Sequence, residues 1–192
     1  MEENYLFYWL SWLLIIIVYF FMKKSWQTYF FLSILFILIM TVNVQVNVFA
    51  QLSVNIAFII ALLTAFLYYA HFTLSTYHLL TSFMFIFAYV ALLLWGKISP
   101  VWFIMDLRVM IPLILASLLI FVCKDANLRL ATALFGVLIG QFIFDLILIR
   151  YRLHMQIGSL FSFNMLYTII VMLLISYLIS ESLHYLKQKL MY

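Results

Sequence analysis

Charge is what this sequence has least of: Asp, Glu, Lys and Arg together make up 8% of 192 residues, against 69% hydrophobic residues. A soluble domain carries roughly a quarter charged residues, so these side chains are too few to cover a water-facing globule. Glycine (four) and proline (two) are too scarce for a turn-rich β fold. The lone cysteine, Cys123, excludes an internal disulfide, a CxxC redox pair and a thiolate metal site. Gly96, Gly136, Gly140 and Gly158 are too far apart to form a glycine-rich phosphate loop. The catalytic membrane signatures HExxH, GxSxG and paired glutamates of the prenyl-protease kind are also missing. The net charge of +4 comes from Lys and Arg scattered in ones and twos, which reads as orientation signals and not as a nucleic-acid footprint. The start Met1-Glu2-Glu3-Asn4 is acidic where a cleavable signal peptide is basic, so the first apolar segment is expected to stay in the mature protein.

What is present is apolar sequence in runs of about 20 residues, the length that crosses a bilayer. The runs cover roughly 5–22, 26–42, 52–70, 79–96, 101–123, 130–149 and 157–180. They predict an all-α polytopic transmembrane bundle in one integral membrane domain, with no soluble domain. Seven spans are expected, with six as the alternative because the second run is the shortest. Residues 181–192 carry Glu181, His184, Lys187 and Lys189 among Leu183, Leu186 and Leu190, the pattern of a short amphipathic cytoplasmic tail. With seven spans, Lys23, Lys24, Lys124, Arg129, Lys187 and Lys189 share one side; Lys97, Arg150 and Arg152 share the other, with Arg108 just inside the fifth span. The positive-inside rule then puts the N-terminus outside and the C-terminus in the cytoplasm. No internal repeat appears, which weighs against an inverted-repeat transporter. The partner implied by composition is the lipid bilayer.

Between the second and third runs, Val42-Asn43-Val44-Gln45-Val46-Asn47-Val48 alternates with period two, so an extended or hairpin-like outer loop is expected. Asn43, Asn47, Gln51 and Asn55 are also four apart, which would suit a helix face. Aromatic residues near the span ends (Trp9, Trp12, Trp26, Trp95, Trp102, Tyr68, Tyr69 and Tyr177) read as an interfacial belt.

Intramembrane polar residues are the candidates for function, because a charge at bilayer depth is costly and wants a partner. Asp106 and Arg108 fall early in span five; Asp145 falls late in span six, four residues after Gln141 and just before Arg150 and Arg152. On antiparallel helices these lie at similar depth. Arg108 could pair with Asp145, and Asp106 with Arg150 or Arg152, while Asn164 of span seven reaches toward them. The cluster reads either as a structural ion-pair network or as an outward-opening polar cavity for a solute or a proton. Gly136 and Gly140, with Ala133 on the same face, let another helix approach closely. That helix is either internal, the favoured reading, or one from a membrane-protein partner or a second subunit. His71 and His78, seven apart, have no third ligand nearby, so no metal or other cofactor is expected; His154 beside the arginines could sense external pH.

The stretches Asp106-Leu107-Arg108, Leu128-Arg129-Leu130-Ala131-Thr132, Gly140-Gln141 with Asp145, and Gln156-Ile157-Gly158-Ser159-Leu160 resemble the YphA-like membrane proteins of Bacillus-type bacteria. The likeness is carried mainly by residues 101–165. It implies a small multi-pass protein of the bacterial cell membrane and supplies no catalytic residues. The resulting expectation is a non-enzymatic protein of structural or assembly type. The alternative is a small-solute or proton-coupled transporter that uses the same cluster.

Overall fold

Long runs of Leu, Ile, Phe and Met in an apolar medium leave the backbone one local way to satisfy its own polar groups, the α-helix. In the computed structural model seven helices form among the described residues. They are α1 Glu2–Phe21, α2 Trp26–Thr41, α3 Ile56–Ala70, α4 Thr76–Ile98, α5 Leu107–Val122, α6 Ala126–Arg150 and α7 Leu160–Leu190. The structure describes residues 2–21, 24, 26–49, 52–71, 76–99, 105–153 and 156–190; within these, side chains at 2–4, 21, 26–27, 48–49 and 181–190 are left aside. Three helices are long and apolar enough to cross a membrane: Thr76–Ile98, Ala126–Arg150 and Leu160–Ser180. Four shorter apolar helices accompany them, at Tyr5–Phe20, Thr28–Thr41, Ile56–Ala70 and Leu107–Val122.

The chain is not purely helical. The valine-rich segment forms β1 (Gln45–Phe49), which pairs antiparallel with β2 (Leu52–Asn55); β2 pairs parallel with β3 (Gln156–Ile157). Period two therefore wins over the four-residue amide spacing, since β-branched valines suit a pleated strand. The third apolar run is corrected as well: residues 52–55 are strand, and the helix begins only at Ile56. Asn55 makes that switch. Its side-chain oxygen accepts from the Ala57 N–H at 2.9 Å, an N-cap, and its Nδ2 donates to the Val42 carbonyl at 2.7 Å. At the other end, α7 runs unbroken to Leu190, so the tail continues the last helix and is not a separate surface helix; residues 191–192 lie outside the described part.

Contacts at the helix ends give an up-and-down order. Tyr69 near the end of α3 donates to the His78 carbonyl at the start of α4, and Tyr77 donates to the Val122 carbonyl at the end of α5. Leu107 opening α5 lies against Gly96 near the end of α4, while Asn43 after α2 donates to Tyr8 of α1. The sheet sits at the end of the bundle where α2 and α6 finish and α3 and α7 begin. Helix α6 is central, touching α3, α4, α5 and α7. Rings fasten the periphery to this core: Phe7 stacks on Tyr167 at 5.4 Å between α1 and α7, and Tyr69 stacks on Phe135 at 4.6 Å between α3 and α6. The belt expectation needs one amendment. Trp9, Trp12, Trp95 and Tyr177 are exposed, but Tyr69 belongs to the core; the Trp26 side chain and Trp102 fall outside what is described.

Candidate functional site

Helix α6 carries the site because Gln141 and Asp145 lie one helical turn apart in its otherwise apolar stretch from Ala133 to Ile149. Gln141 and Asp145 share a face of α6 and are each 1% exposed. Gln141 Nε2 donates to Asp145 Oδ1 at 2.8 Å. The other carboxylate oxygen, Oδ2, accepts from the backbone N–H of Gly158 at 2.9 Å. The Gln141 carbonyl oxygen in turn accepts from the Tyr89 hydroxyl of α4 at 2.8 Å. A chain of hydrogen bonds therefore runs from α4 through α6 to the turn after β3. Both carboxylate oxygens of Asp145 therefore meet donors.

Local structure explains why the turn can reach in. Gly158 has φ +76°, the left-handed region, and a Cβ built there would lie 2.3 Å from Phe58 Cβ. Glycine alone satisfies both conditions. Glycines also fit α6 to α4. A Cβ at Gly136 would lie 2.3 Å from a ring carbon of Phe85, and one at Gly140 would lie 2.7 Å from a ring carbon of Tyr89. The close approach at Gly140 is what lets the Tyr89 hydroxyl reach Gln141. Ala133, Gly136 and Gly140 are all buried, and the two glycines face α4 of the same chain.

Most of the remaining candidates stand at helix ends. Asp106 is exposed and caps α5, its side chain accepting from the Arg108 N–H at 2.9 Å, so it precedes the helix instead of lying inside a span. Arg108 is half-buried in the first turn of α5. Arg150 and Arg152 are exposed, and among the described residues no ion pair joins either to Asp106. Arg152 has φ +57° and completes a Schellman motif that ends α6: its N–H bonds to the Ile149 carbonyl at 2.9 Å, and the Leu153 N–H bonds to the Leu148 carbonyl at 3.0 Å. Cations at a helix C-terminus also complement its dipole, which gives both arginines a local reason to be there. Asn164 is buried in the second turn of α7, where its carbonyl accepts from Thr168. His71 follows α3 and His78 lies in α4, so they share no helix face; His154 lies outside the described residues. No group of three potential metal ligands occurs among the described residues.

Sequence reasoning missed two members of the network. Tyr89 looked like one more aromatic in an apolar helix, and the Gly158 amide has no side chain to advertise it.

The sequence model of the YphA-like integral membrane protein family matches residues 3–192. The chain belongs to that family. The match extends over the first half, well beyond the stretch 101–165 on which the resemblance rested. It also establishes the chain as an integral membrane protein. No curated protein and no solved structure matches it.

Proposed function

We propose that this chain is a non-enzymatic membrane protein of structural or assembly type, and that the Tyr89–Gln141–Asp145–Gly158 network is the lock that fixes its fold. The observation that carries the reading is the engagement of Asp145: each carboxylate oxygen already accepts a hydrogen bond from this same chain. A carboxylate so engaged serves rigidity, and a buried polar network joined across elements favours one packing. Seven spans are part of the proposal. A helix of 15 residues such as α3 rises about 22 Å, less than the roughly 30 Å hydrocarbon core, but β2 extends it. Strand at that depth is tolerated where other protein segments pair with it, as β1 and β3 do here. The basic residues divide six against four by bundle end, which supports a bacterial cytoplasmic membrane with the N-terminus outside and the C-terminus inside.

The test is the melting temperature in detergent of Asp145→Asn. The new amide would set an N–H donor against either Gln141 Nε2 or the Gly158 N–H. We expect a loss of about 1.5–3 kcal/mol, read as a fall of about 5–10 °C for a chain of this size. One observation favours a second reading, small-solute or proton-coupled transport: a carboxylate buried within a membrane helix is a functional site by default. An unchanged or raised melting temperature would mean that Asp145 is kept at a cost to stability, and transport would then replace the structural reading.

A further inference from the structure

Among the described residues no strand pairs with the outer side of β1. In the order β1-β2-β3, β1 is terminal. Its register with β2 sets Gln45 opposite Asn55, Val46 opposite Val54 and Asn47 opposite Ser53, and the Ile56 N–H bonds to the Val44 carbonyl at 3.2 Å. Antiparallel strands direct backbone groups to alternate sides. Val46 therefore spends its N–H and C=O groups on β2; the Val44 carbonyl accepts from Ile56 while its N–H bonds to the Thr41 carbonyl at 2.9 Å, and Gln45 and Asn47 direct their groups to the open edge. Residues 43–47 are exposed. Lysine, proline and charge, common protections of such an edge, are absent from residues 41–70. The irregularity between Asn47 and Phe49, and the turn before Val44, confine the regular edge to a short window.

We infer that this edge is a homodimer contact, in which β1 of one protomer pairs antiparallel with β1 of a second copy about Val46. The window fits its own copy. Read in either direction, Val44 to Val48 is Val, amide, Val, amide, Val. Antiparallel pairing centred on Val46 puts Gln45 opposite the partner's Asn47, and these are the residues whose backbone groups are unspent on β2. Two such pairs close four N–H···O=C bonds, and each sets a side-chain amide across from another, a favourable cross-strand pair. An uncharged strand meets its copy without like-charge repulsion and offers a charged peptide nothing to pair with. Strand addition to an exposed edge is an established recognition mode. In a low-dielectric surrounding an unpaired edge is costly, so pairing is favoured there. The contact also lies away from the Gly136/Gly140 face, which α4 of the same chain fills. The inference stands whatever role the Asp145 network has.

The test is disulfide trapping in membranes of the full chain, with the native thiol removed by Cys123→Ala. Val46 would face its own copy as a non-hydrogen-bonded pair, with a Cα separation of about 4.5 Å, within disulfide reach. Val46→Cys should give a band at twice the 22.8 kDa of the chain, several-fold above Tyr151→Cys, an exposed control position at the end of α6. Adding Asn47→Pro removes an outward N–H while leaving the pairing to β2 intact, and should abolish that band. Trapping no greater than the control overturns the inference, as does a Val46→Cys adduct whose mass is not that of two copies. If the proline variant fails to fold, the comparison of Val46→Cys with Tyr151→Cys still decides.

Discussion

Among the described residues, two sit in the left-handed region of backbone space for opposite reasons. At Gly158 (φ +76°) the carbon that any other residue would bring collides with Phe58, and the N–H beside it holds Asp145. At Arg152 (φ +57°) the side chain is exposed and the same conformation merely ends α6. The substitutions should therefore have opposite signs. Gly158→Ala adds a left-handed penalty of about 1–2 kcal/mol to overpacking of about 1–3 kcal/mol, and loosens the hydrogen bond to Asp145. Arg152→Gly removes the first penalty and gives back about 0.4–1 kcal/mol through the freer unfolded chain, a net gain of about 1 kcal/mol or less. Thermal melts of the two variants check this. A Gly158→Ala protein as stable as wild type would show that the turn does not hold the carboxylate as described.

Among the elements, the junction of α2, β2 and α3 rests on Asn55, 1% exposed, which serves a strand on one side and a helix on the other. Asn55→Ala loses the cap of α3 and leaves the Val42 carbonyl without its donor, and should cost about 1–3 kcal/mol. Hydrogen exchange should then quicken first at Ala57 and its neighbours in α3, and an unchanged exchange pattern there would count against the junction. How far such features are legible in sequence depends on their range. The helices and the valine alternation are local, and both were readable, as was the face that Gln141 and Asp145 share one turn apart. Asp106 was misplaced because the apolar run before it hid its value as an N-cap residue. Tyr89 is distant in sequence from its partner, and the Gly158 contribution is backbone. Neither leaves a mark in composition or periodicity.

At the scale of the whole molecule, alternate helix ends sort the charges. The end bearing the sheet holds Lys97, Arg108, Arg150 and Arg152, and the other holds Lys24, Lys124 and Arg129. Lys23, Lys187 and Lys189 add to the second end by sequence, and that excess is what sets orientation in a bilayer. The arginines on the sheet side oppose the rule only weakly, since their place is explained by the end of α6. Single-cysteine variants in a Cys123→Ala background read the outcome directly. Tyr151→Cys, on the sheet side and exposed, should react with a membrane-impermeant maleimide in intact cells; Lys124→Cys, exposed at the opposite end, should react only after the membrane is opened. The reverse pattern would invert the protein and place the β1 edge in the cytoplasm. Equal labelling of both positions in intact cells would put the two ends of α6 on one side and remove that helix from the membrane. The second result would reach further, because a buried Asp145 has its cost, and its meaning, only if α6 crosses lipid.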